Sequence, residues 1–110
     1  MTTDWKIEQL ECKVSENGLS NVVYKIRWTY NVVDTINGKK YRSNKFGITN
    51  IAPPNPQSFT LYDKLTKEQV VGWIIDVLGT ENVTLMTTEL SNKNNLKANP
   101  TIVGLKPPFK

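Results

Sequence analysis

The stretch SENGLSNVVYKIRWTYNVVDTINGKKYRSNKFGI, residues 15–48, constrains the fold more than any other. Asn17-Gly18 and Asn37-Gly38 bracket a run whose even positions are all apolar: Val22, Tyr24, Ile26, Trp28, Tyr30 and Val32. Asn21, Lys25, Arg27, Thr29 and Asn31 stand between them. Side chains on a strand alternate between faces, so this pattern makes an antiparallel strand with one buried and one wet face. Asn-Gly is the strongest short hairpin signal. Residues 20–34 are therefore predicted as the middle strand of a three-stranded meander.

The flanking strands raise questions of phase. Residues 5–15 read as the first strand, with Trp5 and Ile7 in odd phase but Leu10, Cys12 and Val14 in even phase. A bulge near Glu8-Gln9 returns both sets to one buried face. The alternative is that Trp5 and Ile7 serve the opposite face. In the third strand, a two-residue Asn-Gly loop sets Trp28 opposite Gly47 and turns Phe46 and Ile48 away from the core. A three-residue loop, Ile36-Asn37-Gly38, instead pairs Trp28 with Phe46 and Ile26 with Ile48. The same logic at Glu16-Asn17-Gly18 pairs Cys12 with Val22 and Leu10 with Tyr24. A one-residue slip flips a whole face, so burial favours the three-residue loops at both turns.

Three of the six prolines fall in APPNPQSF, residues 52–59, which reads as an extended connector. A helix follows in DKLTKEQVVGWIIDVLG. Thr66 and Gln69 have capping-box spacing, and Leu65 is placed to staple onto Val70. Val70, Val71, Ile74, Val77 and Leu78 form its apolar stripe, and Gly79 stops it. A lone sheet needs cover on its apolar face, and this helix is predicted to supply it. Val83, Met86 and Leu90 have helical spacing despite poor helix formers at Thr84, Thr87 and Thr88. A second helix, with Thr80 as cap, is predicted over residues 80–95. The fold class is thus α+β: a three-stranded antiparallel meander covered by one or two C-terminal helices, with an extended tail. The domain spans 1–98 and the Pro-rich tail 99–110.

Chemistry is sparse. There is no histidine, which removes the commonest general base, metal ligand and pH switch. The single cysteine, Cys12, reads as a buried, inert thiol. There is no phosphate-loop pattern, no zinc-ligand spacing and no Ser-His-Asp set. The ten carboxylates are scattered over predicted loops and wet faces. The expectation is a non-enzyme with no catalytic residues, cofactor or metal. No apolar run approaches the ~20 residues needed to span a bilayer, and MTTDWKIEQ lacks the features of a secretory signal. A soluble protein made in a cytoplasm is expected.

Two stretches suggest partners. Four apolar residues in an extended, Pro-rich tail cannot build a core alone. Pro100, Ile102, Val103, Leu105, Pro107, Pro108 and Phe109 therefore read as a docking arm, because proline lowers the entropy lost on ordering. Trp73, beside the main stripe of its helix, is a further candidate anchor. Alternatively it packs on Trp28 between helix and sheet. Lys39, Lys40, Arg42 and Lys45, with Tyr41 among them, form a candidate basic contact for nucleic acid. The same residues also read as charges that guard an exposed hairpin against edge-to-edge pairing. A net charge of +4 is mild and compatible with solubility alone.

Finally, WKIEQ at residues 5–9, the Asn-Gly hairpin, and Tyr62, Leu65, Thr66, Gln69, Val70, Gly72 and Trp73 in a Y-x-x-L-T-x-x-Q-V-x-G-W pattern are together distinctive. With Asn99-Pro100 and Pro107-Pro108, the chain resembles a family of small proteins of tailed bacteriophages, common in marine phages. The resemblance implies a phage setting. A multicopy virion protein is then expected, decorating the capsid or associated with the tail, with other virion proteins as partners. The alternative is an early protein that binds a host regulator or nucleic acid through residues 36–46. The helix motif itself encodes capping and packing, and no catalysis.

Overall fold

A computed structural model describes residues 1–54, 59–102 and 104–109. Strands β1 (Thr2–Glu16), β2 (Leu19–Ile36) and β3 (Lys39–Asn50) form one antiparallel sheet in the order β1-β2-β3. A 3-10 turn at Tyr62–Lys64 leads into helices α1 (Lys67–Leu78) and α2 (Thr80–Ala98). The fold is α+β, with the alternating run as the middle strand. Most of the proline connector, residues 55–58, lies outside the described residues.

Both turns are tighter than burial logic suggested. Glu16 pairs with Leu19 and Ile36 with Lys39, so each loop is just Asn-Gly. Asn17 and Gly18 have φ of 51° and 81°, and Asn37 and Gly38 have 53° and 78°. Two successive positive values define a type I′ turn, whose twist matches that of the strands it joins. The three-residue loops are therefore corrected. Trp28 faces Gly47, and Ile26 faces Thr49, across the β2–β3 ladder. Leu10 pairs with Ile26, and Cys12 with Val23.

The β1–β2 ladder contains two register shifts that cancel. The first lies between Ile7 and Gln9 and leaves Glu8 as the extra residue of β1, at the predicted bulge. The second lies between Glu11 and Cys12 and leaves Tyr24 extra on β2. The first shift puts Trp5 and Ile7 on the same side as Leu10 and Cys12, and all four pack against the core. The second shift moves Val23 into the core and leaves Tyr24 half-buried. Val14, expected inside, is exposed.

The core joins Val23, Ile26, Trp28, Tyr30 and Val32 of β2 to Val70 and Ile74 of α1 and Met86 and Leu90 of α2. At the start of α1, Thr66 Oγ1 accepts the Gln69 backbone N–H at 3.2 Å. The reciprocal half of the capping box is replaced, because Gln69 Nε2 donates to Thr60 Oγ1 at 3.0 Å. Val77 is exposed, and Trp73 packs against the core in its stead. Gly79, at φ 87°, ends α1 and serves as N-cap of α2, the role predicted for Thr80. The threonines of α2 are accommodated by back-bonding: Thr84 and Thr87 donate to the Thr80 and Val83 carbonyls. The helix runs to Ala98, past the expected end.

A buried polar network locks α2 to the sheet. Asn94 is fully buried. Its Oδ1 accepts from Ser43 Oγ at 2.7 Å, and its Nδ2 donates to the Val32 carbonyl at 3.0 Å and to Asp34 Oδ2 at 2.8 Å. Ser91 Oγ also donates to Asp34 Oδ2 at 3.0 Å. Every buried polar side-chain atom among the described residues has a partner. That satisfaction fixes α2 over β3 with a directional specificity that apolar packing lacks.

Candidate docking surface

The site is built on β3, an edge strand whose side chains divide cleanly. Ser43, Gly47 and Thr49 lie opposite Val32, Trp28 and Ile26 and so share their helix-covered face. The Trp28 indole lies across Gly47, and its Nε1–H donates to Thr49 Oγ1 at 2.9 Å. Trp5 then packs edge-on to Trp28, with ring centroids 5.1 Å apart, and against Tyr30 at 4.4 Å. Thr87 directs its own proton to Val83, so Tyr30 is the donor in its 2.8 Å bond to Thr87. Trp28 thus has Trp5, rather than Trp73, as its aromatic partner.

The even residues of β3 occupy the opposite face. Phe46 is 72% exposed and Ile48 55% exposed, beside Arg27 and Glu8. Around them the charges are paired: Arg27 Nε lies 3.0 Å from Glu11 Oε2, and Lys6 Nζ 3.7 Å from Glu8 Oε2. Thr29 Oγ1 donates to Glu8 Oε1 at 2.9 Å. Phe46 and Ile48 are therefore an apolar spot beside paired charges. Sequence reasoning placed both inside. The signal that could have found them is Gly47, since a glycine opposite a tryptophan leaves room for the ring to lie down.

The same alternation separates the candidate basic residues. Lys39 and Lys45 share one face with Tyr41, and Lys40 and Arg42 lie on the other. All four are exposed. The Lys39 ammonium stands 5.7 Å from the centre of the Tyr41 ring. Lys97, from the last turn of α2, donates to the Arg42 carbonyl.

Trp73 is half-buried and lines a cavity of about 260 Å³ with Val22, Val23, Ile51, Phe59 and Leu65. The tail stands apart from it. After the Asn99 N–H closes the last turn onto the Asn95 carbonyl at 2.8 Å, the described residues of the tail form no helix or strand and bend at Thr101 and Pro108. Ile102 is 89%, Leu105 82% and Phe109 77% exposed, and Pro100, Pro107 and Pro108 are exposed as well. Val103 lies outside the described residues.

Cys12 is half-buried, and burial pushes its thiol pKa up, away from the reactive thiolate. Among the described residues, no three Cys, Asp or Glu side chains converge as a metal site would require. No helix among them is long and apolar enough to cross a membrane.

A family model described as a domain of unknown function, DUF7936, matches residues 1–107. The chain belongs to the DUF7936 family. The match to DUF7936 takes in the whole meander, both helices and the tail as far as Pro107. No curated protein and no solved structure matches the chain.

Proposed function

We propose that this DUF7936 protein is a non-enzymatic docking protein, a multicopy structural or accessory component of a tailed-phage virion. It attaches through its C-terminal arm and one sheet surface to other virion proteins, on the capsid or the tail. The observation that carries the reading is the arm: Ile102, Leu105 and Phe109 lie in a proline-flanked segment without helix or strand and are exposed among the described residues. Exposed apolar side chains gain free energy by leaving water, and a stiff arm loses little entropy on docking. The phage setting rests on the resemblance of the WKIEQ start and the α1 opening. A standard interface of ~800 Å² per partner is enough for stable attachment, and repetition on a symmetric particle adds avidity.

The basic hairpin is less suited to nucleic acid, because its four cations stand on two faces of one strand. The test is quantitative mass spectrometry of gradient-purified particles from the phage that encodes the chain, with a truncation after Asn99 alongside. High copy number, lost on truncation, is the expected result. Absence from particles overturns the reading and directs attention to the hairpin at residues 36–46.

A further inference from the structure

β3 is an edge of the sheet, and half of its backbone groups face outward. The Ile36–Lys39 pair closes a two-residue turn, so odd residues of β3 bond to β2 and even residues point away. The Lys97 bond to the Arg42 carbonyl agrees with that phase. Beyond Arg42, the outward groups of Asn44, Phe46, Ile48 and Asn50 meet no strand among the described residues.

This part of the edge has apolar side chains on both of its faces. On one side stand the exposed side chains of Phe46 and Ile48. On the other, a groove of about 340 Å³ runs between β3 and α2, where Gly47, Leu85 and Met86 are joined by the polar Lys45, Asn82 and Glu89. Lys39, Lys40 and Arg42 guard the first half of the strand, but Phe46 to Asn50 carries no charge at all. Natural edges are usually blunted along such a length.

We propose that this edge receives the C-terminal arm of a second copy of the chain as a fourth, antiparallel strand. This rests on the docking reading above and names the partner. The arm contains one window able to pair: Thr101 to Lys106, between Pro100 and Pro107, where every residue keeps its backbone N–H. Alternation puts Val103 and Leu105 on one face and Ile102 on the other. The pair then meets Phe46 and Ile48, and Ile102 enters the groove beside Leu85. The chain's own arm cannot take this place in antiparallel sense. It leaves α2 at the Arg42 end of β3, so it runs alongside its own strand only in parallel. A neighbour's arm approaches from either end. Arm-to-edge contact is heterologous, so repetition gives a ring or an open row.

The test uses the full chain in sedimentation velocity over a wide concentration range. Leu105→Pro removes the arm donor that this register turns toward Phe46, at an exposed residue outside the folded domain. Ile48→Pro removes an outward donor on the edge and spares the β2 ladder. Each variant is expected to weaken self-association by about tenfold or more. A mixture of the two is expected to form a one-to-one complex, in which the intact arm of the edge variant fills the intact edge of the arm variant. Phe46→Lys, at an exposed side chain, repeats the edge test if Ile48→Pro unfolds the chain by circular dichroism. A wild-type chain that stays monomeric, or variants that associate undiminished, overturn the proposal. Virion attachment that needs the arm, with a monomeric purified chain, defeats the homotypic strand but leaves the docking function standing. Self-association with no presence in particles does the reverse.

Discussion

The indole of Trp28 lies so flat across Gly47 that a Cβ at position 47 stands 2.5 Å from ring carbon Cε2. No ordinary packing adjustment absorbs that overlap, because the ring is held by its bond to Thr49 and by Trp5. Gly47→Ala is therefore expected to cost about 2–3 kcal/mol, read as a lower denaturation midpoint, with the tryptophan fluorescence shifted as Trp28 is displaced. Gly72, inside α1 with no atom within reach of a Cβ, is the control. Gly72→Ala is expected to stabilise by about 0.5–1 kcal/mol.

Asn94 supplies three bonds from a fully buried position. Asn94→Ala leaves Ser43 and the Val32 carbonyl without their partner, at about 2–3 kcal/mol. Ser43→Ala costs less, about 1 kcal/mol, because one bond is lost. The double variant is expected to fall short of the sum, and a double-mutant cycle by urea denaturation measures the coupling.

The type I′ turns depend on positive φ at both central residues. Gly38→Ala is expected to cost about 1 kcal/mol, since a Cβ is disfavoured in the left-handed region. Open space around position 38 rules out a clash with the rest of the fold. Thermal unfolding of the variant checks the magnitude. A loss several times larger contradicts a purely conformational effect.

Burial raises the Cys12 pKa. At neutral pH the folded thiol is expected to react with a disulfide reagent more slowly than the same thiol in denaturant. The folded state holds this proton more tightly than the unfolded state does. Its contribution to stability is thus complete below the ordinary thiol pKa and is lost as pH rises from there through the raised folded value. Labelling rates measured against pH, with and without urea, test both points.

Local chemistry was legible wherever a residue acts on its own neighbours. The positions of the Asn-Gly turns, though not their length, the β2 alternation, the bulge at Glu8, the Thr66 cap and the stop at Gly79 all follow from short-range geometry. That the described residues of the tail form no helix or strand was legible too, since its prolines exclude it from a sheet interior or a helix. What misled was treating burial as a rule that works in both directions. Apolar residues fill cores, but many stay outside, and Phe46 and Ile48 do.

Sequence alone thus determined the order of strands and helices and the Thr66 cap of α1, because propensity and turn geometry act within a few residues. Tertiary structure decided the register of β3. The type I′ twist and the space taken by the Trp28 ring select Gly47, Thr49 and Ser43 for the inner face. That choice turned two apolar side chains toward solvent along an unpaired edge. Neighbours distant in sequence made the decision: Trp28 against Gly47, and Asn94 of α2 against Ser43 of β3. Only folding brings such pairs close enough for volume and hydrogen bonding to weigh against hydrophobicity.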